Sequence, residues 1–326
     1  MGNAIEITQT NDLIYIIDDG IIEILLKDKN TNKNIIFATA NYTKRGYNET
    51  AEIKIDFLRN RKRALIRARI DKSKEEQRIR SKEKAEVFTP SWVCNKQNNL
   101  IDNAWFGKEN VFNFEEEKGW KINTNKIEFT DKTWQDYVED IRLEITCGEA
   151  PYLTSRYDTV TGEFIPLNER IGLLDRKLRI VSENCNTKEE WIKWAKNAYK
   201  AIYGYEFQGD NLLIARENLL FTFVDYYKNK FNEEPSNDLL MEIAEIIIWN
   251  IFQMDGLKYV VPFSCHNEVE KTVQLTLFDD PVEPKVDICP GCKNNDPMKH
   301  NGKYCYIMDW AKNKKIRFVS LLKGGN

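Results

Sequence analysis

Leu143 to Leu153 reads LEITCGEAPYL, a short apolar run of strand length that breaks at Cys147-Gly148-Glu149-Ala150. An aliphatic, β-branched run that stops at a glycine-containing turn predicts a strand followed by a tight reversal. Two later stretches repeat the shape. Ile202 to Arg216 (IYGYEFQGDNLLIAR) is a strand ending at Glu206 and running into a helix, and Asn250 to Leu257 (NIFQMDGL) is a strand ending just before Asp255. Helices are expected between them. From Thr187 to Ile202, the residues Trp191, Trp194, Ala195, Ala198, Tyr199 and Ile202 recur at helical spacing, and Thr187 with Glu190 has the form of a capping box. Asn211 to Lys230 and Asp238 to Ile248 read as two more helices. Strand, turn, helix and strand again is the pattern of a parallel sheet with crossover helices, whose ligands sit beyond the carboxyl ends of the strands.

That placement gives the three strand tips a chemical meaning. The Gly148 turn allows close backbone approach to a ligand, Glu206 can accept hydrogen bonds from ribose hydroxyls, and Asp255 can accept from an adenine amine. The interval from Gly148 to Glu206 is longer than one crossover needs, so residues 154–186 are expected to form an insertion or an extra layer.

Upstream, Phe88-Thr89-Pro90 ends a basic stretch, and Pro90 should stop any helix that reaches it. Taken in order, Phe88-Thr89-Pro90, LEITCGEAPYL, IYGYE…IAR and NIFQMDGL resemble the gamma-class, adenine-specific DNA methyltransferases of restriction–modification systems. The resemblance covers roughly residues 85–257. It implies a cofactor pocket for S-adenosylmethionine lined by Phe88, Thr89, Pro90, Glu144, Cys147, Gly148, Ala150, Glu206 and Asp255, with Glu144 standing for the family's first-strand Asp and Ala150 for its second glycine. It also implies a double-stranded DNA substrate and a possible second methyltransferase or endonuclease subunit.

The family's Asn-Pro-Pro-aromatic tetrapeptide is absent. Asn295-Asp296-Pro297-Met298 is the nearest string and lacks the aromatic. Transfer to an exocyclic amine needs acceptors for its hydrogens and an in-line pose, which that tetrapeptide supplies by holding a flipped base. The expected function is therefore an S-adenosylmethionine-dependent DNA adenine methyltransferase, either a partial or split subunit whose partner chain carries the catalytic loop or an enzyme with an altered loop of its own; the alternative is a catalytically degenerate DNA-binding, clamp-associated adaptor. A nuclease has little support, because Asp18-Asp19 with Glu23 reads as a turn and a solvated face.

Charge and cysteines add the rest. Hydrophobic residues are 42% and charged residues 30% of 326, which is ordinary for a globular chain. No uninterrupted apolar run approaches membrane length, and the start MGNAIEITQT lacks a signal pattern, so a cytoplasmic protein is expected. From Arg59 to Lys84, twelve Lys/Arg oppose four Asp/Glu, so that stretch carries +8 and the remainder −11. It can meet DNA phosphates or form a solvated helix with its own ion pairs. Cys289-Pro-Gly-Cys292 is half of a zinc site. Cys305 is the expected third ligand and Cys265 the fourth, with His266 and His300 competing for that last place. Gln274-Leu275-Thr276-Leu277-Phe278 resembles the pentapeptide by which bacterial proteins dock on the sliding clamp, through Gln274, Leu275, Leu277 and Phe278, although alternating apolar residues also suit an edge strand.

The expected architecture is α/β: a Rossmann-like, S-adenosylmethionine-dependent methyltransferase sheet with a small N-terminal β element and a C-terminal zinc-binding insertion. The boundaries fall at 1–45 (β), 46–87 (basic helical), 88–262 (cofactor domain) and 263–326 (linker and zinc region). Ile21–Leu26 (IIEILL) and Ile35–Ala40 (IIFATA) would be the strands of the first element.

Overall fold

The computed structural model describes residues 17–58, 66–84, 86–269 and 286–323. The clamp-like pentapeptide 274–278 and the basic residues 59–63 lie outside them.

The N-terminal β element is a helix instead. In α1 (Asp19–Leu26) the Asp18 carboxylate accepts the Gly20 N–H, and Ile21, Ile22, Leu25 and Leu26 form a buried stripe. Five apolar residues around Glu23, without alternation, fit either element, and packing decides between them. Here α1 has long helices to lie on. The second expected strand also finds no partner strand among the described residues. Ile36 forms only an isolated bridge with Glu52, and its N–H and C=O are taken by the amide of Gln253 at 2.9 and 2.8 Å.

Two cations of the basic stretch, Lys72 and Arg80, are buried, while Lys74, Arg78 and Lys82 are exposed. The stretch ends in α2 (Lys74–Lys84), on which Arg80 is buried with Nε 2.6 Å from Glu86 and Nη1 2.7 Å from Asp210. Lys72 is also buried, its amine 4.0 Å from Asp210. Arg67 and Arg78 pair with Glu76 and Glu75. Arg69 lies over the Phe88 ring at 4.7 Å.

Next come α3 (Ser91–Phe106), the hairpin β1 (Asn113–Glu116) and β2 (Gly119–Ile122), and the short α4 (Trp134–Glu139). The start of α3 follows Pro90, and Gly107 ends it at φ +66°, a left-handed stop. Its polar face is buried. Asp102, Asn95 and Asn99 all accept from the Arg176 guanidinium.

The central sheet follows. β3 (Arg142–Glu144) leads through α5 (Leu173–Asn184) and α6 (Lys188–Lys200) to β4 (Ile202–Glu206), then through α7 (Gly209–Phe231) and α8 (Asn237–Asn250) to β5 (Ile251–Gln253). The order is β3-β4-β5, both pairings are parallel, and Tyr205 opposes Phe252 in register. The long β3-to-β4 interval is explained by α5, an extra helix packed on α4, α6 and α7. Thr187 caps α6 as expected by accepting the Glu190 N–H, while the Glu190 carboxylate reaches the Asn186 N–H. Strand alternation splits the sheet. Ile202 and Ile251 face the helical core with α1, whereas Tyr203, Tyr205, Phe252 and Met254 face a smaller cluster.

The C-terminal region covers that second face. After β6 (Glu268–Val269), β7 (Val286–Asp287) and α9 (Pro290–Asn294), the hairpin β8 (Tyr306–Asp309) and β9 (Lys314–Arg317) packs Ile307 and the following Phe318 against the tyrosines. The molecule is thus mixed α/β with small sheets. No helix among the described residues is long and apolar enough to cross a membrane.

One buried charge holds these pieces together. Asp210, in the first turn of α7, accepts from Arg80 and from the Tyr42 hydroxyl at 2.7 Å, so two N-terminal segments hang on it. Removing one partner strands a buried guanidinium. Asp210→Asn is expected to cost about 3–5 kcal/mol, read as a lower midpoint in urea unfolding.

Candidate functional site

The tips of β3 and β4 meet at one cavity of about 660 Å³, within the range of small-molecule sites. Phe88, Thr89, Glu144, Cys147, Gly148 and Glu206 line it together. The turn after β3 has an unusual backbone, with Thr146, Gly148 and Ala150 left-handed at φ +47°, +55° and +64°. Such alternation points backbone N–H groups to one side, where they favour a negative group. Of the turn's N–H groups, that of Gly148 meets Glu206 at 2.9 Å, while those of Cys147 and Ala150 go to the carbonyls of Tyr205 and Cys147; Glu206 also accepts the Gln208 N–H at 3.0 Å from its own side. A Cβ at Gly148 would meet only the Phe88 ring at 3.8 Å, so glycine serves the backbone angle there rather than a close approach. Ala150 holds a left-handed angle without that freedom, fully buried.

The other expected cofactor residues divide. Phe88 packs beside the turn, the Thr89 carbonyl accepts from Thr159, and Pro90 precedes α3. Glu144 is buried and accepts the N–H groups of Tyr152 and Leu153 at 3.3 and 3.1 Å, so it shapes the turn. Cys147 is buried, and burial with the nearby Glu144 and Glu206 pushes its thiol well above the usual range, which removes it as a nucleophile. Asp255 does not join them. It is not among the residues lining the cavity, and its carboxylate accepts the N–H groups of Leu257 and Lys258, both at 3.1 Å, in a turn closed by its bridge to Val260.

Sequence reading missed part of the wall. Phe207 and Phe263 lie edge to face at 5.6 Å, and Gln208 and Asn211 line the cavity from the start of α7. A polar Asn five residues after the strand-tip acid and just before LLIA is the one local signal for Asn211. Four glutamates line the cavity (Glu49, Glu86, Glu144 and Glu206), and among the described residues no Lys or Arg does. Glu86 is offset by Arg80.

The second cluster is the cysteine box. The Sγ atoms of Cys265, Cys289 and Cys292 lie 3.5, 3.7 and 3.7 Å from Nδ1 of His300, and all four ligand atoms fall within 4.8 Å of one another. A tetrahedral zinc with three sulfurs and one nitrogen requires an S···N edge of about 3.6 Å, so the set fits a metal ion. Cys289 sits at the start of α9 and Cys292 on it, and Asn301 donates its N–H to the Cys289 sulfur. Gly291 is obligatory, since a Cβ there would lie 2.6 Å from the His300 ring.

Cys305 is not a ligand, contrary to the sequence expectation. It is buried under the sheet beside Tyr205 and Phe252, its thiol donating to the Gln253 carbonyl at 3.4 Å. Alternation explains this: the neighbouring Tyr304 points to the box, where its hydroxyl accepts the His300 N–H, so Cys305 must point away. His266 is exposed and contributes only backbone contacts with Asn301.

No protein-family model matches this chain, and no curated protein or solved structure is similar to it.

Two outcomes follow from the geometry. Cobalt(II) titration is expected to give one equivalent with thiolate charge-transfer bands; Cys265→Ser and His300→Ala lose tight binding, while Cys305→Ala keeps the full stoichiometry. The second concerns Glu144, which burial pushes up to about 8 from 4.5 against the two N–H groups it accepts, with the Glu206 carboxylate adding to the shift. Between those pH values the folded state binds the extra proton, so stability falls as pH rises through the window. Glu144→Gln keeps an acceptor and removes this share. Its loss of stability from pH 6 to pH 8 in urea titrations is expected to be smaller than in the wild type.

Proposed function

We propose that this chain is the cofactor-binding part of an S-adenosylmethionine-dependent DNA adenine methyltransferase of the restriction–modification type, acting with a second chain. The observation that carries the reading is the meeting of Gly148 and Glu206 at adjacent parallel strand tips in one cavity, with Phe88 beside the turn. A carboxylate at that tip accepts ribose hydroxyls.

The case for a second chain rests on β3, the edge of the described sheet. Ile141, Leu143 and Ile145 alternate along it with 68%, 45% and 62% of their surface exposed. An open edge bearing apolar side chains is a template for another strand. Ile145 also lines the cofactor cavity, so a partner strand would bring its own residues to the reacting end. The missing tetrapeptide is what such a partner would supply. Zinc in the Cys265–Cys289–Cys292–His300 box would be structural, since all four tetrahedral positions are filled by protein.

Calorimetric titration with S-adenosylmethionine and labelled methyl transfer to double-stranded DNA test this. Heat of binding is expected for the wild type and a loss of at least tenfold in affinity for Glu206→Ala. Transfer is expected only when the product of a neighbouring gene is added. No heat with the wild-type chain overturns the cofactor assignment. Heat without transfer in every combination favours the degenerate adaptor, a reading that the displacement of Asp255 from the cavity supports.

A further inference from the structure

Phe263 stands between the cavity and the cysteine box. It lines the cavity at the strand tips, its ring edge to face with Phe207 at 5.6 Å. Two residues later, Cys265 places its sulfur 3.5 Å from Nδ1 of His300 in the box. The ring has little of its own to hold it. It is 49% exposed, and Phe207 is its one aromatic neighbour among the described residues. Its backbone lies in the left-handed region at φ +59°, as does that of Tyr259 in the same loop. A bulky residue keeps such an angle only where its surroundings impose it.

The segment from His300 to Lys303 imposes it. Val261 donates its N–H to the Lys303 carbonyl at 2.8 Å, and Lys303 returns its own N–H to the Ser264 hydroxyl at 2.9 Å. That hydroxyl donates in turn to the Val261 carbonyl at 2.6 Å. The two segments lie so close that a Cβ at Gly302 would come 2.8 Å from the Ser264 hydroxyl and 2.9 Å from the Cys265 sulfur. Both end in the box, one at Cys265 and the other at His300, and the start of α9 brings Cys289 and Cys292 to the same point. An ion there ties loop, segment and helix together. Without it, only weak thiol–imidazole contacts of 3.5–3.7 Å gather the four side chains, and the left-handed turn at Phe263 loses its downstream anchor.

We propose that metal occupancy of the cysteine box sets the ligand affinity of the cavity, with Phe263 as the connecting residue. This regulation rests on the cofactor reading above and acts on the same cavity. The metal-held loop keeps the Phe263 ring beside Phe207, an aromatic wall for a planar base. The metal-free loop relaxes its backbone and gives up that wall. The ion itself stays closed to the ligand, because protein fills all four tetrahedral positions. Coupling of this kind is reciprocal. A ligand that prefers the metal-loaded form must raise metal affinity by the same factor.

The experiment is calorimetry with S-adenosylhomocysteine on the full chain, zinc-loaded and stripped with a chelator. The wild type is expected to bind at least tenfold more tightly with zinc. Cys292→Ser, altered on α9 and away from the loop, is expected to bind like the stripped wild type. Phe263→Ala is expected to keep one cobalt(II) equivalent, to bind the ligand at least tenfold more weakly, and to change less than twofold on stripping. In the reverse direction, saturating ligand is expected to raise the cobalt(II) affinity of the wild type by tenfold or more, and to leave that of Phe263→Ala unchanged. Equal ligand affinity of the loaded and stripped wild type overturns the proposal. So does a Phe263→Ala variant that loses affinity on stripping as the wild type does, which marks a general loosening of the fold. A readout without ligand separates this outcome from the cofactor assignment. With 4-fluorophenylalanine at position 263, one sharp fluorine resonance is expected with zinc and a shifted, broadened one without. A zinc-loaded wild type that binds no S-adenosylhomocysteine overturns the cofactor reading, whereas a fluorine resonance indifferent to zinc overturns the coupling.

Discussion

The hydrogen bond from the Gly148 N–H to the Glu206 carboxylate is the contact on which the functional geometry depends. It joins the tips of two strands 58 residues apart and closes the turn over one end of the cavity. The turn holds left-handed angles at alternate positions, and the Gly148 N–H that it presents is received by this carboxylate. Burial raises the pKa of Glu206 while the Gln208 and Gly148 N–H groups hold it down. The same acid can therefore anchor the turn and remain an acceptor for a hydroxyl-bearing ligand.

Around that contact the cavity is assembled from distant segments, and buried charge does the assembling. The Arg80–Asp210 pair brings the basic stretch to the start of α7, and Glu86 on the same guanidinium carries the chain on to Phe88. Arg216 performs the matching task deeper in α7, donating to the carbonyls of Ile251, Leu25 and Lys27, which fastens the end of α1 to β5. A net positive stretch thus does much of its work inside the protein. Its composition suggested phosphate, but several of its cations have carboxylate partners.

The cysteine box works by another means at the other side of the sheet. Val260 bridges both Asp255 and Tyr304, so the loop after β5 and the strand leading to β8 are held together just beside Cys265 and His300. A metal there would cross-link segments that share little apolar surface, the usual use of a closed tetrahedral site in a small region. Its ligand set turned on facing. Cysteine and histidine both suit the ion chemically, and only the direction of each side chain separated Cys305 from His300.

The sequence by itself determined the parallel strand tips, the helices α6, α7 and α8, and the acid at the end of β4. Those signals are local: apolar period, cap residues and a glycine turn need no distant partner to act. The CPGC half of the metal box was legible for the same reason. What only the tertiary structure decided were the elements and residues whose state depends on what lies opposite. IIEILL became a helix because α7 and α8 offered it a surface, and Arg80 turned inward because Asp210 was waiting. Asp255 left the cavity because its own turn consumed its carboxylate, and Asn211 entered it because helix α7 begins at the tip of β4. Side-chain direction and long-range pairing are properties of the assembled chain, and no single stretch of residues carries them.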